Sequence, residues 1–225
     1  MPQRPRENEP ALPGISKQEI RARALALRGA LGDREARSRE ICRRFVALPE
    51  FDGAATVFLY IHVRDEVQTA ELVVRLLASD KQLVVPYCEG KLLRLFRLES
   101  LDELVEGHYG LFEPRPALRG AARLVPSEAL DLLGVPGVAF DRRGGRVGHG
   151  RAYFDRLLPH LRPDAVAAGL AYECQIFPRV PMDAHDVYLD RVITEEAVYF
   201  GRGRAFRAGC SQVGIDSHRG GSDSA

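Results

Sequence analysis

The densest concentration of chemistry in the chain is the stretch PGVAFDRRGGRVGHGRAYFDRLLP, residues 136–159. Gly144, Gly145, Gly148 and Gly150 stand there among Arg142, Arg143, Arg146 and Arg151. Glycine lets the main chain approach a ligand closely and take up positive φ. Successive N–H groups then form a concave anion site, to which the start of a following helix adds its positive end. Arginine supplies paired donors that match phosphate oxygens. The pattern is that of a polyphosphate cradle, although a solvated turn between a strand and a helix has the same composition. Two nucleotide motifs fail to fit. Gly148 and Gly150 meet half of G-x-G-x-x-G, but Tyr153 and Phe154 occupy the region of the third glycine. Gly145 and Gly150 have the Walker A spacing, but Arg151 and Ala152 replace its Lys and Ser/Thr.

Such a loop needs elements to hold it. Ser16 with Glu19 three residues on makes a capping box, and Ile20, Ala24 and Leu27 follow at helical spacing. Asp33 reads as the cap of a second helix, whose apolar stripe runs through Ile41, Phe45 and Leu48 to Pro49. Short apolar runs at 55–61, 82–86, 92–98, within 131–140, at 165–170 and at 191–195 read as strands, the last of these closing the series. Residues 67–79 and 151–161 read as helices, and 101–105 as a short one. Buried strands alternating with helices predict an α/β sheet covered on both faces. Ligands of open α/β sheets sit beyond the carboxyl ends of the strands, which points to the segment after strand 131–135.

Composition sets the outer bounds. The 225 residues are 45% hydrophobic and 28% charged, ordinary for a globular chain, and 32 basic against 31 acidic side chains give a net charge of +1. A strongly basic nucleic-acid binder is not expected. No apolar run approaches the roughly 20 residues of a membrane span. Cys42, Cys88, Cys174 and Cys210 form no C-x-x-C pair and the histidines are scattered, so a zinc site is not expected and a reducing cytoplasm is. Residues 1–14 read as a flexible, proline-rich leader without the apolar core of a secretion signal. Residues 201–225, with four arginines offset by two aspartates, read as a solvated, mostly disordered tail, leaving 15–200 as the folded part.

The glycine-rich stretch resembles the signature of the 5-formyltetrahydrofolate cyclo-ligase (methenyltetrahydrofolate synthetase) family. Pro136, Gly137, Phe140, Asp141, Gly144, Arg146, Gly148, Gly150, Tyr153, Asp155 and Arg156 carry the likeness. Lys17 and Arg21 repeat the family's K-x-x-x-R, and Tyr60, Glu66, Val67 and Thr69 its Y…E-V-x-T. Pro86, Glu113, Pro114, Gln175, His185 and Asp186 also fall in step, about 180 residues in one order. The resemblance implies a three-layer α/β fold, a sheet flanked by helices, similar to the NagB/RpiA/CoA transferase-like group.

It also implies ATP- and magnesium-dependent closure of 5-formyltetrahydrofolate to 5,10-methenyltetrahydrofolate, with release of ADP and phosphate. The formyl oxygen is phosphorylated, N10 of the same folate attacks, and phosphate leaves. On this basis Lys17 and Arg146 are the expected catalytic cations. Lys17, Arg21, Arg146 and the segment Val147, Gly148, His149, Gly150, Arg151, Ala152, Tyr153 and Phe154 would hold the nucleotide. Ile61, Glu66, Tyr109 and His149–Tyr153 would contact the folate, single or polyglutamylated. Asp155 and Asp186 would bind Mg2+. Read without the family, Lys17 and Arg21 suit an ordinary charged helix face better than a phosphate site, and Glu66 suits a helix N-terminal acid. Tyr109 equally suits a core aromatic and Asp186 a cap or surface charge. The likeness breaks at Ala152, where the family has glycine, and at Phe154, where it has tyrosine. A monomeric, cytoplasmic enzyme is expected; the alternatives are a non-catalytic relative binding folate or nucleotide, and a sugar-phosphate isomerase of the same fold group.

Overall fold

The computed structural model describes residues 15–107 and 110–206. Helix α1 (Lys17–Gly29) begins at the expected capping box: Ser16 Oγ accepts from the Glu19 amide at 3.2 Å, and Glu19 Oε2 accepts from the Ser16 amide at 2.8 Å. Ile20 and Ala24 are buried, but the third inward residue is Arg28, 3% exposed, whereas Leu27 is 43% exposed. Helix α2 (Arg34–Val46) starts after Asp33 as expected, but Asp33 sits at φ 51° and its side chain makes no capping bond. Helix α3 (Pro49–Gly53) leads into the central strand β1 (Thr56–Leu59).

Helix α4 (Ala70–Leu77) is shorter than the expected 67–79. The reason is local. Thr69 Oγ1 donates to the Tyr60 carbonyl at 2.8 Å and accepts from the His62 amide at 3.3 Å, which folds 60–69 into a tied loop before the helix can start. Strands β2 (Gln82–Glu89) and β3 (Leu92–Leu98) form an antiparallel hairpin. A small ribbon, β4 (Leu104–Glu106) with β5 (Phe112–Pro114), follows, and then β6 (Leu132–Val135). The expected helix at 101–105 is a single 3-10 turn, Leu101–Glu103.

The glycine-rich segment is more than a strand-to-helix bend. It folds into a hairpin, β7 (Ala139–Asp141) and β8 (Arg146–Val147), before helix α5 (Tyr153–Leu157). The expected helix 151–161 is this short α5 and a 3-10 turn, Leu158–His160, across Pro159. Strands β9 (Val166–Leu170), β10 (Ile176–Phe177) and β11 (Arg191–Ile193) follow. The run at 191–195 does not close the series: β12 (Val198–Phe200) turns back antiparallel to β11. Residues 201–206 stay tied to the body, with the Gly201 amide on the Asp190 carbonyl at 2.9 Å and Arg204 Nε on Asp190 Oδ2 at 3.1 Å. The leader, the rest of the expected tail, Tyr109 and Cys210 lie outside the described residues.

The main sheet runs β12-β11-β9-β6-β1-β2-β3 and is parallel except at its two edges. Both faces are covered, as expected. Val57 and Leu59 point into a core with Ile41, Phe45, Leu72 and Leu76, while Phe58 points into another with Leu133, Leu157 and Leu158. Each such side chain contributes about 1.5–3 kcal/mol by leaving water. From β1 the chain passes to β2 on one side and later to β6 on the other. The sheet therefore has a switch point between β1 and β6, where the loops leaving the two strands diverge and open a crevice.

Candidate functional site

That crevice is a cavity of about 1340 Å³, built by five separated stretches: α1, the loop after β1, the β2–β5 region, the segment after β6 and the loop between β10 and β11 that carries His185 and Asp186. Lys17, Arg21, Ile61, Glu66, Arg146 through Asp155, and Asp186 all line it. Every expected site residue among the described ones is thus brought to one place.

The glycine-rich segment divides in two. Its first half is structural. Asp141 is fully buried; its Oδ1 accepts from the Arg143 and Gly145 amides, both at 2.9 Å, and its Oδ2 from the Val180 amide at 3.1 Å. Gly144 has φ 86°, and a Cβ there would lie 2.3 Å from the Leu189 carbonyl oxygen, so only glycine fits. Arg143 pairs with Asp141 at 3.3 Å and Arg142 lies 3.8 Å from Glu173. None of these four lines the cavity; of the stretch expected as a cradle, Pro136 and Arg146 through Asp155 do.

That second half wraps the cavity. Arg146 is 5% exposed; its Nη2 donates to Asp155 Oδ1 at 2.9 Å and its guanidinium stacks 5.5 Å from the Phe154 ring. Phe154 in turn packs edge-on against Phe58 at 5.9 Å, so the position without a hydroxyl is filled as core. Val147 is 1% exposed, its side chain packed with Ile20 and Val138, which leaves the main chain as what it offers a ligand. Arg21 Nε donates to the Gly148 carbonyl at 2.7 Å, and Gly150 has φ 97°. Ala152 has φ 51° and ψ 28°, the left-handed region that the replaced glycine would occupy without strain. Tyr153 reaches the Gly90 carbonyl at 2.9 Å and Arg156 the Lys91 carbonyl at 2.7 Å, pinning α5 to the β2–β3 turn.

At the start of α1, Lys17 Nζ donates to Asp183 Oδ2 at 2.6 Å and to Asp186 Oδ2. Burial opposes the ammonium charge, but the bonds to Asp183 and Asp186 outweigh it and raise the Lys17 pKa. Asp186 is 5% exposed and also accepts from the Asp183 amide at 2.7 Å, so it is neither a helix cap nor a free surface charge. Ligand atoms of Asp183, His185 and Asp186 lie within 4.8 Å of one another. Such carboxylate oxygens are of the kind that suits magnesium, which is held by one or two carboxylates together with phosphate.

The far end of the cavity is the loop after β1. Glu66 is 9% exposed, and burial raises its pKa; its Oε2 accepts from the Val63 amide at 3.3 Å. It lies four residues before α4 begins and so is not a helix N-terminal acid. Tyr60 donates to the Val67 carbonyl at 3.0 Å, and Tyr172 donates to the Glu66 carbonyl at 3.1 Å while its hydroxyl lies 2.8 Å from Ser38 Oγ. Gln175 holds the Gly137 and Val138 carbonyls at 3.1 and 2.8 Å. Tyr60, Thr69 and Gln175 thus fasten the two loops that frame the cavity. Arg28, Asp65 and Asp183 were missed from the sequence. Asp183, three positions before Asp186 and next to His185, carried a local signal; Arg28 carried none.

The fold and the cavity define a class: an open α/β protein with a strongly charged ligand site at the switch point of its sheet. A family model described as the 5-formyltetrahydrofolate cyclo-ligase family matches residues 14–195. A probable 5-formyltetrahydrofolate cyclo-ligase of Schizosaccharomyces pombe is 30% identical over 202 residues, covering 82% of this chain and 97% of the relative. The 5-formyltetrahydrofolate cyclo-ligase of Escherichia coli K12 is 30% identical over 163 residues, 69% of this chain and 86% of the relative. The solved 5,10-methenyltetrahydrofolate synthetase of Aquifex aeolicus superposes with a TM-score of 0.72 at 35% identity, covering 88% of this chain and all of that one. The chain belongs to the 5-formyltetrahydrofolate cyclo-ligase family.

Proposed function

We propose that this cavity converts 5-formyltetrahydrofolate to 5,10-methenyltetrahydrofolate at the expense of ATP, with Mg2+ at the phosphates. The supporting observation is that one cavity is lined by Lys17, Arg21 and Arg146, by the Gly148–Ala152 segment, by Asp155 and Asp186, and by Glu66. ATP supplies the phosphoryl group that turns the formyl oxygen into a good leaving group. Lys17, Arg21 and Arg146 bind the phosphates and offset the charge that gathers on them, the main source of rate in phosphoryl transfer. Asp186, with Asp155 across the loop, would hold the cation. The Glu66 carboxylate, which lines the cavity with two acceptor oxygens, suits the paired N–H donors of a pterin, and Ile61 lines the same region as an apolar side chain. Enclosure by β3, β5 and α5 holds N10 near the formyl carbon and keeps bulk water away from the activated oxygen.

The same proposal has the protein working as a monomer in the cytoplasm on single or polyglutamylated folate. Among the described residues no helix is long and apolar enough to cross a membrane. The test is the appearance of the methenyl product's absorbance when the protein meets 5-formyltetrahydrofolate with and without ATP and magnesium. Product in the absence of ATP would overturn the nucleotide assignment. Binding without turnover is the alternative, favoured by the left-handed Ala152; nucleotide binding by calorimetry with no product formed would establish it.

A further inference from the structure

Helix α1 turns Ile20, Ala24 and Arg28 inward at strict i, i+4, i+8 spacing. A guanidinium stays charged at any ordinary pH, so burying one at a position that aliphatic neighbours share is costly unless it is fully bonded. Arg28 is not. Its Nη2 donates to Asp65 Oδ1 at 2.8 Å, its Nη1 reaches the Gly137 carbonyl at 3.4 Å, and its Nε, also buried, has no hydrogen-bond partner among the described residues. An apolar residue here would avoid the unmet donor. Stability therefore does not explain Arg28, but its location does: it lines the cavity and grips the residue next to Glu66.

Glu66 needs such help. The charged groups facing it are Arg28 from α1 and Asp65 on its own loop, with the Tyr60 ring from the end of β1 committed to the Val67 carbonyl. Burial and Asp65 oppose its ionisation, and Arg28 with the Val63 amide favours it. The same guanidinium touches Gly137, the start of the segment that later wraps the phosphate end, so one residue spans both halves of the cavity.

We infer that Arg28 is a positioning residue for the folate subsite: it clamps the Asp65–Glu66 turn to α1 and so fixes where the Glu66 carboxylate stands in the cavity. This rests on the assignment of Glu66 to the folate. The experiment measures binding of 5-formyltetrahydrofolate alone, and separately of a non-hydrolysable ATP analogue with magnesium, by calorimetry on the full chain. Arg28→Met and Asp65→Asn are each expected to weaken folate binding by about tenfold or more, with nucleotide affinity within about twofold of the wild type. Arg28→Lys should recover part of the loss, and the double variant should be no worse than Arg28→Met alone, because the two residues act through one contact. In Arg28→Met the acid limb of folate binding should move to higher pH. Asp65→Asn, on a partly exposed loop residue, decides the matter if Arg28→Met does not fold. Loss of folate binding in Glu66→Gln, with none in Arg28→Met or Asp65→Asn, would overturn the role of Arg28 and leave that of Glu66 intact. Unchanged binding in Glu66→Gln would overturn both.

Discussion

Lys17 on the first helix and Asp186 near the far end of the chain form an ion pair on the cavity wall, with Asp183 completing a two-carboxylate grip on the ammonium. With magnesium bound as proposed, the metal ion and the lysine would compete for the Asp186 carboxylate. Asp186 engaged by Mg2+ would release Lys17 toward the phosphates. Lys17→Met is expected to lower kcat/KM for ATP by about 100-fold or more, the scale for removing one charge-stabilising donor. Asp186→Asn should instead raise the magnesium concentration needed for half-maximal rate. A magnesium titration of the absorbance assay separates the two; equal magnesium dependence in wild type and Asp186→Asn would count against the metal role.

Ala152 holds a left-handed conformation, at φ 51°, in the turn where the cavity wall enters α5. An alanine in this region is strained by about 1 kcal/mol relative to glycine, partly cancelled by the greater freedom glycine gains when unfolded. Ala152→Gly is therefore expected to leave stability within about 1 kcal/mol of the parent, on the stabilised side. It should lower KM for ATP, since the main chain can then approach phosphate more closely. Urea denaturation and steady-state kinetics on the same preparation check both.

Glu66 links pH to stability with a definite sign. Its folded pKa lies above the ordinary 4.5 because burial disfavours the charged form. The folded state therefore binds the proton more tightly than the unfolded state, and this residue's contribution to stability falls as pH rises from 4.5 through the raised value. Glu66→Gln should abolish that slope and leave the protein at least as stable at pH 7, while folate KM rises about tenfold or more. Thermal melts from pH 4 to 8 show it; a melt lowered at pH 7 would contradict it.

Gln175 bridges the two halves of the fold around the cavity. Its Nε2 serves the Gly137 and Val138 carbonyls, and its Oε1 accepts from the Tyr172 amide at 2.9 Å, all in the buried interior. Gln175→Met, similar in volume but without these groups, leaves the Val138 carbonyl and the Tyr172 amide unpaired and the Gly137 carbonyl with only Arg28 Nη1 at 3.4 Å. At about 1–3 kcal/mol for each unmet group, a loss of about 2 kcal/mol or more is expected in denaturant unfolding. A loss below about 1 kcal/mol would mean that the loops find other partners.

Much of this organisation was legible because it is local. The Ser16–Glu19 capping box, the apolar stripe of Ile41 and Phe45, and the runs that became β1, β2, β6 and β9 follow from side-chain period and reach over a few residues. Strands β7, β8, β10 and β12, two or three residues each, are too short to carry a period. On α1 the stripe allowed either Leu27 or Arg28 to face inward, because both lie at its edge. The choice fell to Arg28 because Asp65, 37 positions away, waits there.

The sequence alone determined which segments carry charge and glycine, since spacings such as Lys17-x-x-x-Arg21 and Gly148-x-Gly150 are set by bonds along the chain. Tertiary structure alone decided how those groups divide their work. Asp141 became a buried clasp and Asp155 a partner of Arg146, while Asp186 took Lys17. Carboxylates are chemically alike wherever they stand in a chain, and only the packing of the sheet at its switch point fixes which cation each one meets and how dry that meeting is.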